Sequence, residues 1–202
     1  MRLHLIRHSL TPETGKRLSS RDPDISLSEP GRSIAEELGD FLYDVPLAAI
    51  YTSPHRRCRE TAAAVARGRR IRPRANKAFI EADYGKWLGR PLKSLYRLKA
   101  WQDLMANASR FRFPEGETLQ EVQNRAVAGV EALVAKHPDD SIAVSSHGDV
   151  IKVILVHYLG MPLDLSHRID PRPASVSIID IPKSGQVRVP VLNAVPDAGR
   201  WQ

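Results

Sequence analysis

The sequence predicts an α/β fold: a three-layer sandwich with a mostly parallel central sheet, helices on both faces and an inserted cap segment. Three observations predict it. Short apolar runs alternate with amphipathic helical stretches along the chain. Two of those runs, residues 3–6 and 142–144, deliver a histidine just beyond their ends, as strands do when their carboxyl ends border a ligand crevice. One stretch, about 82–116, breaks the alternation and gathers glycine, proline and half of the chain's aromatic residues.

Each element follows in order. Leu3, Leu5 and Ile6 make a short buried strand ending in Arg7-His8-Ser9. Pro12 to Asp24 is polar and reads as a loop over the crevice. Ser28 caps a helix whose apolar positions Ile34, Ala35, Leu38, Phe41, Leu42 and Val45 keep the helical period until Pro46. A second strand, Ala48 to Thr52, leads into Ser53-Pro54, read as the N-cap region of a helix through Ala66. Ala78 to Glu81 reads as a further strand, and 82–116 as a partly helical cap. A long amphipathic helix from Glu117 to Lys136 and a turn at 137–140 precede the strand Ile142 to Val144. After Ser145-Ser146-His147-Gly148 comes an apolar helix from Val150 to Leu159. The alternating tail from Ala174 to Val191 gives one or two closing strands, the last antiparallel. Neither an internal repeat nor a linker divides the chain, so 1–202 reads as a single domain with its cap at about 82–116.

Composition sets bounds. A chain of 202 residues, 42% hydrophobic and 26% charged, suits an ordinary globular domain. Its apolar runs fall short of the roughly 20 residues of a membrane span, and His4 and Arg7 interrupt any signal-peptide core. The single cysteine, Cys58, leaves no internal disulfide, which fits the cytoplasm. The net charge of +7 invites a nucleic-acid partner, but the densest basic run, Arg67 to Arg74, has no aromatic residue for bases to stack on. That run reads instead as a solvated helix end, where cations suit the dipole. Scattered histidines and one cysteine offer no metal site.

The chemistry starts from Arg7-His8. A neutral imidazole is a nucleophile near neutral pH, and a guanidinium grips phosphate oxygens in pairs. Leu5-Ile6-Arg7-His8, the run from Ser53 through Arg57 to Ala62, Ser146-His147-Gly148 and the run from Glu81 through Tyr84-Gly85 to Gly89 stand in one order. Together they resemble the signature of the histidine phosphatase superfamily, the phosphoglycerate-mutase-like fold, over about residues 3–180. Weaker matches are Leu27 to Gly31 and Pro114 to Thr118 followed by Arg125.

The resemblance implies a metal-independent, cofactor-free phosphomonoesterase of the histidine acid phosphatase type, acting on a small phosphorylated substrate. His8 would take the phosphoryl group as phosphohistidine. Arg7, Arg57 and His147 would bind the phosphate, with Ser9 as a further donor, and Glu81 would protonate the leaving alkoxide. Asp83 competes for that last role, yet two carboxylates two residues apart face opposite sides of an extended segment. Ser9, Leu10, Thr14 and Leu88 depart from the family's usual glycine, acidic residue, asparagine and acidic residue. The nearest alternative is mutase-type phosphoryl transfer, against which Gly89-Arg90-Pro91 lacks the Asn-Lys pair of the mutases. An alternative of another class is a catalytically inactive binding or scaffold protein, against which all the core residues are retained. His4, His55 and His157 read as structural, His55 being the one adjacent to the arginine loop.

Overall fold

Strand β1 (Arg2–Arg7) is buried at four successive positions, Leu3 to Ile6. A strand apolar on both faces has to lie inside a sheet that is covered on both sides. In the computed structural model, which describes residues 1–18 and 24–196, that is where it lies. Residues 19–23 of the predicted Pro12 to Asp24 loop lie outside the described residues. The other strands are β2 (Ala49–Thr52), β3 (Arg74–Ala75), β4 (Ser141–Ser146), β5 (Val176–Asp180) and β6 (Arg188–Ala194). Their order in one sheet is β3-β2-β4-β1-β5-β6.

Alternation along β1 assigns the helices to faces. Leu3 and Leu5 share a core with Val122, Ala126 and Val130 of one helix, Leu119–Lys136, and with Val150, Ile151 and Ile154 of another, Gly148–Tyr158. Ile6 belongs to a second core with Ile34 and Leu38 of helix α1 (Glu29–Phe41) and Ala62 and Val65 of α2 (Arg56–Ala66). Caps start the two longest helices. The Ser28 hydroxyl accepts from the Gly31 amide at 3.1 Å, and Thr118 and Glu121 form a reciprocal capping box before Leu119. Such caps contribute about 1 kcal/mol each. Among the described residues no helix is long and apolar enough to cross a membrane.

Four local expectations are corrected. The sheet is mixed at one edge: β2, β4, β1 and β3 are parallel, whereas β5 pairs antiparallel with both β1 and β6. The reversal therefore belongs to β5, because the chain after Tyr158 returns to the carboxyl ends of the strands before β5 begins. There the Ala174 amide donates to the Arg7 carbonyl, at 3.1 Å. Residues 78–81 form no strand. The Asn76 side chain captures the Ala78 amide at 2.9 Å, and Lys77–Phe79 closes into a single 3-10 turn. Helix α1 ends at Phe41, before Pro46, and Phe41 is half exposed. Arg69 binds the Leu42, Tyr43 and Val45 carbonyls there, so one arginine of the basic run is a helix stop. Finally, the N-cap of α2 is His55, with no side-chain cap bond, and Ser53 is engaged elsewhere.

Residues 82–116 hold only short helices, α3 (Leu92–Leu95) and α4 (Lys99–Ala106), and a 3-10 turn at Gly85–Trp87. With α5 and α6 the label of Leu119–Lys136 and Gly148–Tyr158, helix numbering follows chain order. Aromatic rings hold the segment together. Trp87 stacks on Trp101 at 6.0 Å between centroids and meets Phe111 and Phe113 at 5.5 and 5.6 Å.

Candidate active site

Parallel register creates the site. Arg7 pairs with Ser146 and Thr52 with Ser145, so the residues following β1, β4 and β2, namely His8, His147 and Ser53, emerge side by side. The His8 and His147 rings lie edge to face at 5.3 Å, and His55 meets His147 at 5.0 Å.

His8 is held in one tautomer. Its Nδ1 lies 2.8 Å from the Ser9 carbonyl, which can only accept, so Nδ1 carries the hydrogen and Nε2 the lone pair. Burial, with the nearby Arg57 and Arg7 charges, pushes the His8 pKa well below the usual histidine value. The ring is therefore neutral at neutral pH. His147 is lowered for the same reasons, burial first and Arg57 next. It accepts at Nδ1 from the Arg57 guanidinium, 3.2 Å away, and donates from Nε2 to the Ser53 hydroxyl at 2.8 Å.

Glu81 is buried and brings a carboxylate oxygen within 3.6 Å of His147 Nδ1. Burial, and after it the charge of Asp149, hold its carboxyl well above the usual carboxylate range, against the pull of Arg57 and Arg7. The loop that carries it is fixed by Arg125, which donates to the carbonyls of Ala78, Ile80 and Glu81 and pairs with Glu117. Glu117 in turn accepts from the Asp83 amide at 2.9 Å. The Asp83 carboxylate accepts from the Gly85 amide at 3.0 Å, while Glu81 is the member of the pair beside His147.

Arg7 donates to the Pro171 carbonyl, and its Nε is buried with no hydrogen-bond partner among the described residues. Gly148 packs against it; a Cβ there would sit 3.4 Å from the guanidinium carbon. Ser9 is wholly buried; its amide donates to the Thr61 hydroxyl at 3.1 Å, and its own hydroxyl has no hydrogen-bond partner among the described residues. Leu10 acts through its backbone, its carbonyl accepting from the Ser28 amide at 2.9 Å, which ties this loop to the start of α1. A Cβ at Gly31 would lie 2.0 Å from that same carbonyl, so the close approach requires glycine. The Thr14 hydroxyl accepts from the Thr11 amide at 2.9 Å.

A cleft of about 180 Å³ opens at these strand ends, lined by Arg7, Glu81 and Gly148 on the sheet side and by Thr14, Gly15 and Arg17 from the first loop. His8, Arg57 and His147 are almost completely buried and do not line it. The structure thus brings His8, His147, Arg57 and Glu81 together, with Arg7 in the cleft wall and Ser9 beneath the surface.

Sequence reasoning missed several neighbours. Ser53 orients His147, and the buried Cys58 sulfur lies 3.5 Å from His147 Nε2, its thiol pushed up by burial and so inert as a nucleophile. Tyr84, Asp149 and Lys152 form a polar wall: the Tyr84 hydroxyl donates to Asp149 at 2.7 Å and Lys152 pairs with it at 2.9 Å. Burial works against ionisation of Asp149, but Lys152 and the Tyr84 hydroxyl outweigh it and hold the carboxyl below its ordinary range. A signal existed. Asp149 and Lys152 are the polar residues at the head of an otherwise apolar helix that starts at a strand-end histidine.

A family model described as histidine phosphatase superfamily (branch 1) matches residues 3–194. The solved structure of Bacillus stearothermophilus YhfR matches with a TM-score of 0.88 and 30% identity, covering 96% of this chain and 97% of that one. The uncharacterized phosphatase PhoE of Bacillus subtilis (strain 168) is 28% identical over 156 residues, 77% of this chain and 76% of its own length. A probable phosphoglycerate mutase, GpmB of Erwinia tasmaniensis, is 24% identical over 182 residues, 89% of this chain and 85% of its own.

Proposed function

The chain belongs to the histidine phosphatase superfamily, and from that premise we propose that it hydrolyses small phosphate monoesters through a phosphohistidine on His8. One observation carries the reading. A buried imidazole, kept neutral and fixed in the Nδ1–H tautomer by the Ser9 carbonyl, lies among two arginines, a second histidine and a proton-holding carboxyl.

In the first step His8 Nε2 attacks phosphorus, the P–O bond to the leaving group breaks, and Glu81 gives its proton to the departing alkoxide. In the second, the Glu81 carboxylate takes a proton from water as that water attacks phosphorus, and the P–N bond breaks to release inorganic phosphate. The guanidinium groups of Arg7 and Arg57 offset charge on the equatorial oxygens, which is the main contribution a protein makes to phosphoryl transfer. The Ser9 hydroxyl is a further donor to the same oxygens, and His147, whose Nδ1 accepts from Arg57, gains a donor for them when Arg57 turns to the phosphate and Nδ1 takes up a proton. Since His8 is almost fully buried, the side chains above it must make room for the phosphate. No metal or cofactor enters either step. A histidine held neutral into the acid range and a carboxyl that keeps its proton both favour mildly acidic pH, which supports the acid phosphatase type.

The reading takes 1–202 as one cytoplasmic domain, with 82–116 as the cap beside the leaving group and no nucleic-acid or membrane partner. Similarity to the mutase named above keeps phosphoryl return to a substrate hydroxyl as the second reading. The test is hydrolysis of a generic aryl phosphate in EDTA by the wild type and by His8→Ala. Activity that survives the chelator and disappears in the variant supports the reading. A wild type inactive on that ester and on a panel of phosphate monoesters overturns it in favour of a narrow mutase or a binding protein.

A further inference from the structure

We propose that the recess adjoining the cleft is the leaving-group site and that it selects esters of uncharged, ring-bearing alcohols, rejecting phosphates that carry a carboxylate. The inference rests on the phosphatase reading and names the substrate class for that same site.

The recess, about 260 Å³, is continuous with the cleft: Leu18, Tyr84, Trp101, Asp149, Lys152 and Asp170 line both. Beyond those shared residues its wall is apolar except for His167, with Leu104 and Phe113 buried and Met105 at the exposed rim. A phosphate held between Arg7 and Glu81 therefore leaves its alcohol facing an aromatic and aliphatic wall, where an apolar ring is removed from water at about 25 cal/mol per Å².

The charges decide what else fits. The only lysine of the recess among the described residues, Lys152, is already paired with Asp149, and the second Asp149 oxygen takes the Tyr84 hydroxyl. Asp170, at the exposed rim, adds another carboxylate. His167 also lines the recess, with its Nε2 directed at the Leu104 carbonyl, 3.4 Å away, and burial lowers its pKa, so it is neutral at neutral pH. Among the described residues, a carboxylate entering here meets a mutually neutralised Lys152–Asp149 pair and the like charge of Asp170. Capturing Lys152 would strip Asp149 of its partner, and breaking such a pair is strongly unfavourable. Arg17 lines the cleft and not the recess, so it sits on the phosphate side. A phosphoglycerate, whose carboxyl carbon is one or two bonds from its phosphate-bearing carbon, is a poor fit.

The experiment compares kcat/KM for phenyl phosphate, 4-carboxyphenyl phosphate, glycerol 3-phosphate and 3-phosphoglycerate, using the full chain, with His8→Ala as the background. Phenyl and 4-carboxyphenyl esters have similar leaving groups, so their ratio isolates the carboxylate. The expected result is a preference for the phenyl ester of at least about tenfold over both carboxylated esters, since like-charge juxtaposition is worth several kcal/mol, and a lower kcat/KM for glycerol 3-phosphate, which has no ring to bury. The exposed Asp170→Lys variant, which places a cation at the rim without disturbing the core, is expected to narrow the phenyl to 4-carboxyphenyl ratio. His8-dependent hydrolysis with equal or better rates on the carboxylated esters, or an unchanged ratio in Asp170→Lys, overturns the inference and leaves the phosphatase reading standing. Absence of His8-dependent hydrolysis on all four esters overturns both.

Discussion

The strand ends and the 82–116 segment are built on opposite principles. At the strand ends, backbone register alone sets His8 beside His147 and Ser53, and buried polar groups such as Arg57 and Glu81 are held there by hydrogen bonds and charge. In the segment from 82 to 116 there is no strand ladder, and position is set by rings packing on rings around Trp87. Register is discrete, because a slip of one residue turns every side chain to the other face, while an aromatic cluster tolerates repacking. Chemistry that needs fixed atoms therefore belongs to the first region, and adaptation to different alcohols to the second.

Substitutions separate the two. The largest effect is expected at Arg57: Arg57→Gln lowers kcat by about a hundred- to a thousandfold, the scale of losing one transition-state charge donor. Steady-state kinetics with circular dichroism to confirm folding checks it, and a variant within tenfold of wild type would place the phosphate elsewhere. Glu81→Gln comes next, and its signature is the pH profile. Wild-type kcat/KM falls on the alkaline side as the Glu81 proton is lost, above the usual carboxylate range. On the acid side it falls only below the ordinary histidine pKa of about 6.5, because the His8 value is lowered. Glu81→Gln abolishes the alkaline limb and loses alkyl phosphates far more than an ester with an acidic phenol, which departs without protonation.

Asp149→Asn is a finer probe. Asp149 raises the Glu81 pKa, so removing its charge lowers that value, and the alkaline limb moves to lower pH. A limb that stays in place, or moves up, dissociates Asp149 from the proton donor. The smallest effect on the chemical step is expected from the other region. Trp87→Ala, at a buried ring, costs about 3–5 kcal/mol of stability and is read as a lower Tm, yet below that Tm kcat on phenyl phosphate stays within a few-fold of wild type. A catalytic loss as large as that of Arg57→Gln would erase the distinction between the regions.

The sequence showed one of these regions far better than the other, for the same physical reason. Apolar runs at residues 3–6 and 142–144 had the composition of strands buried on both faces, and each delivered a histidine, so their adjacency at the carboxyl ends of a sheet was readable before any coordinates. The Ser28 cap was readable from local chemistry, whereas the Thr118 capping box starts its helix at Leu119, two residues after the expected Glu117. Residues 78–81 misled because their apolar character suits a strand, while the backbone there is bound by the side chains of Asn76 and Arg125, the latter 44–47 residues away along the chain. The reversed β5 was hidden because its direction depends on how the intervening chain returns beside Arg7. Asp149 and Lys152 were not singled out, and Tyr84 was quoted only as part of a motif, because only tertiary structure places the three together in the wall of a pocket.

The central claim is the covalent intermediate on His8, and trapping it is the most direct test. The full chain, mixed with phenyl phosphate in EDTA and quenched in alkali within the first turnover, is digested and analysed by mass spectrometry. The account predicts one phosphoryl group, stable to alkali and labile to acid, on the peptide carrying His8, and none in His8→Ala. Turnover of the ester with no phosphoryl group on His8, or with activity retained in His8→Ala, would contradict it.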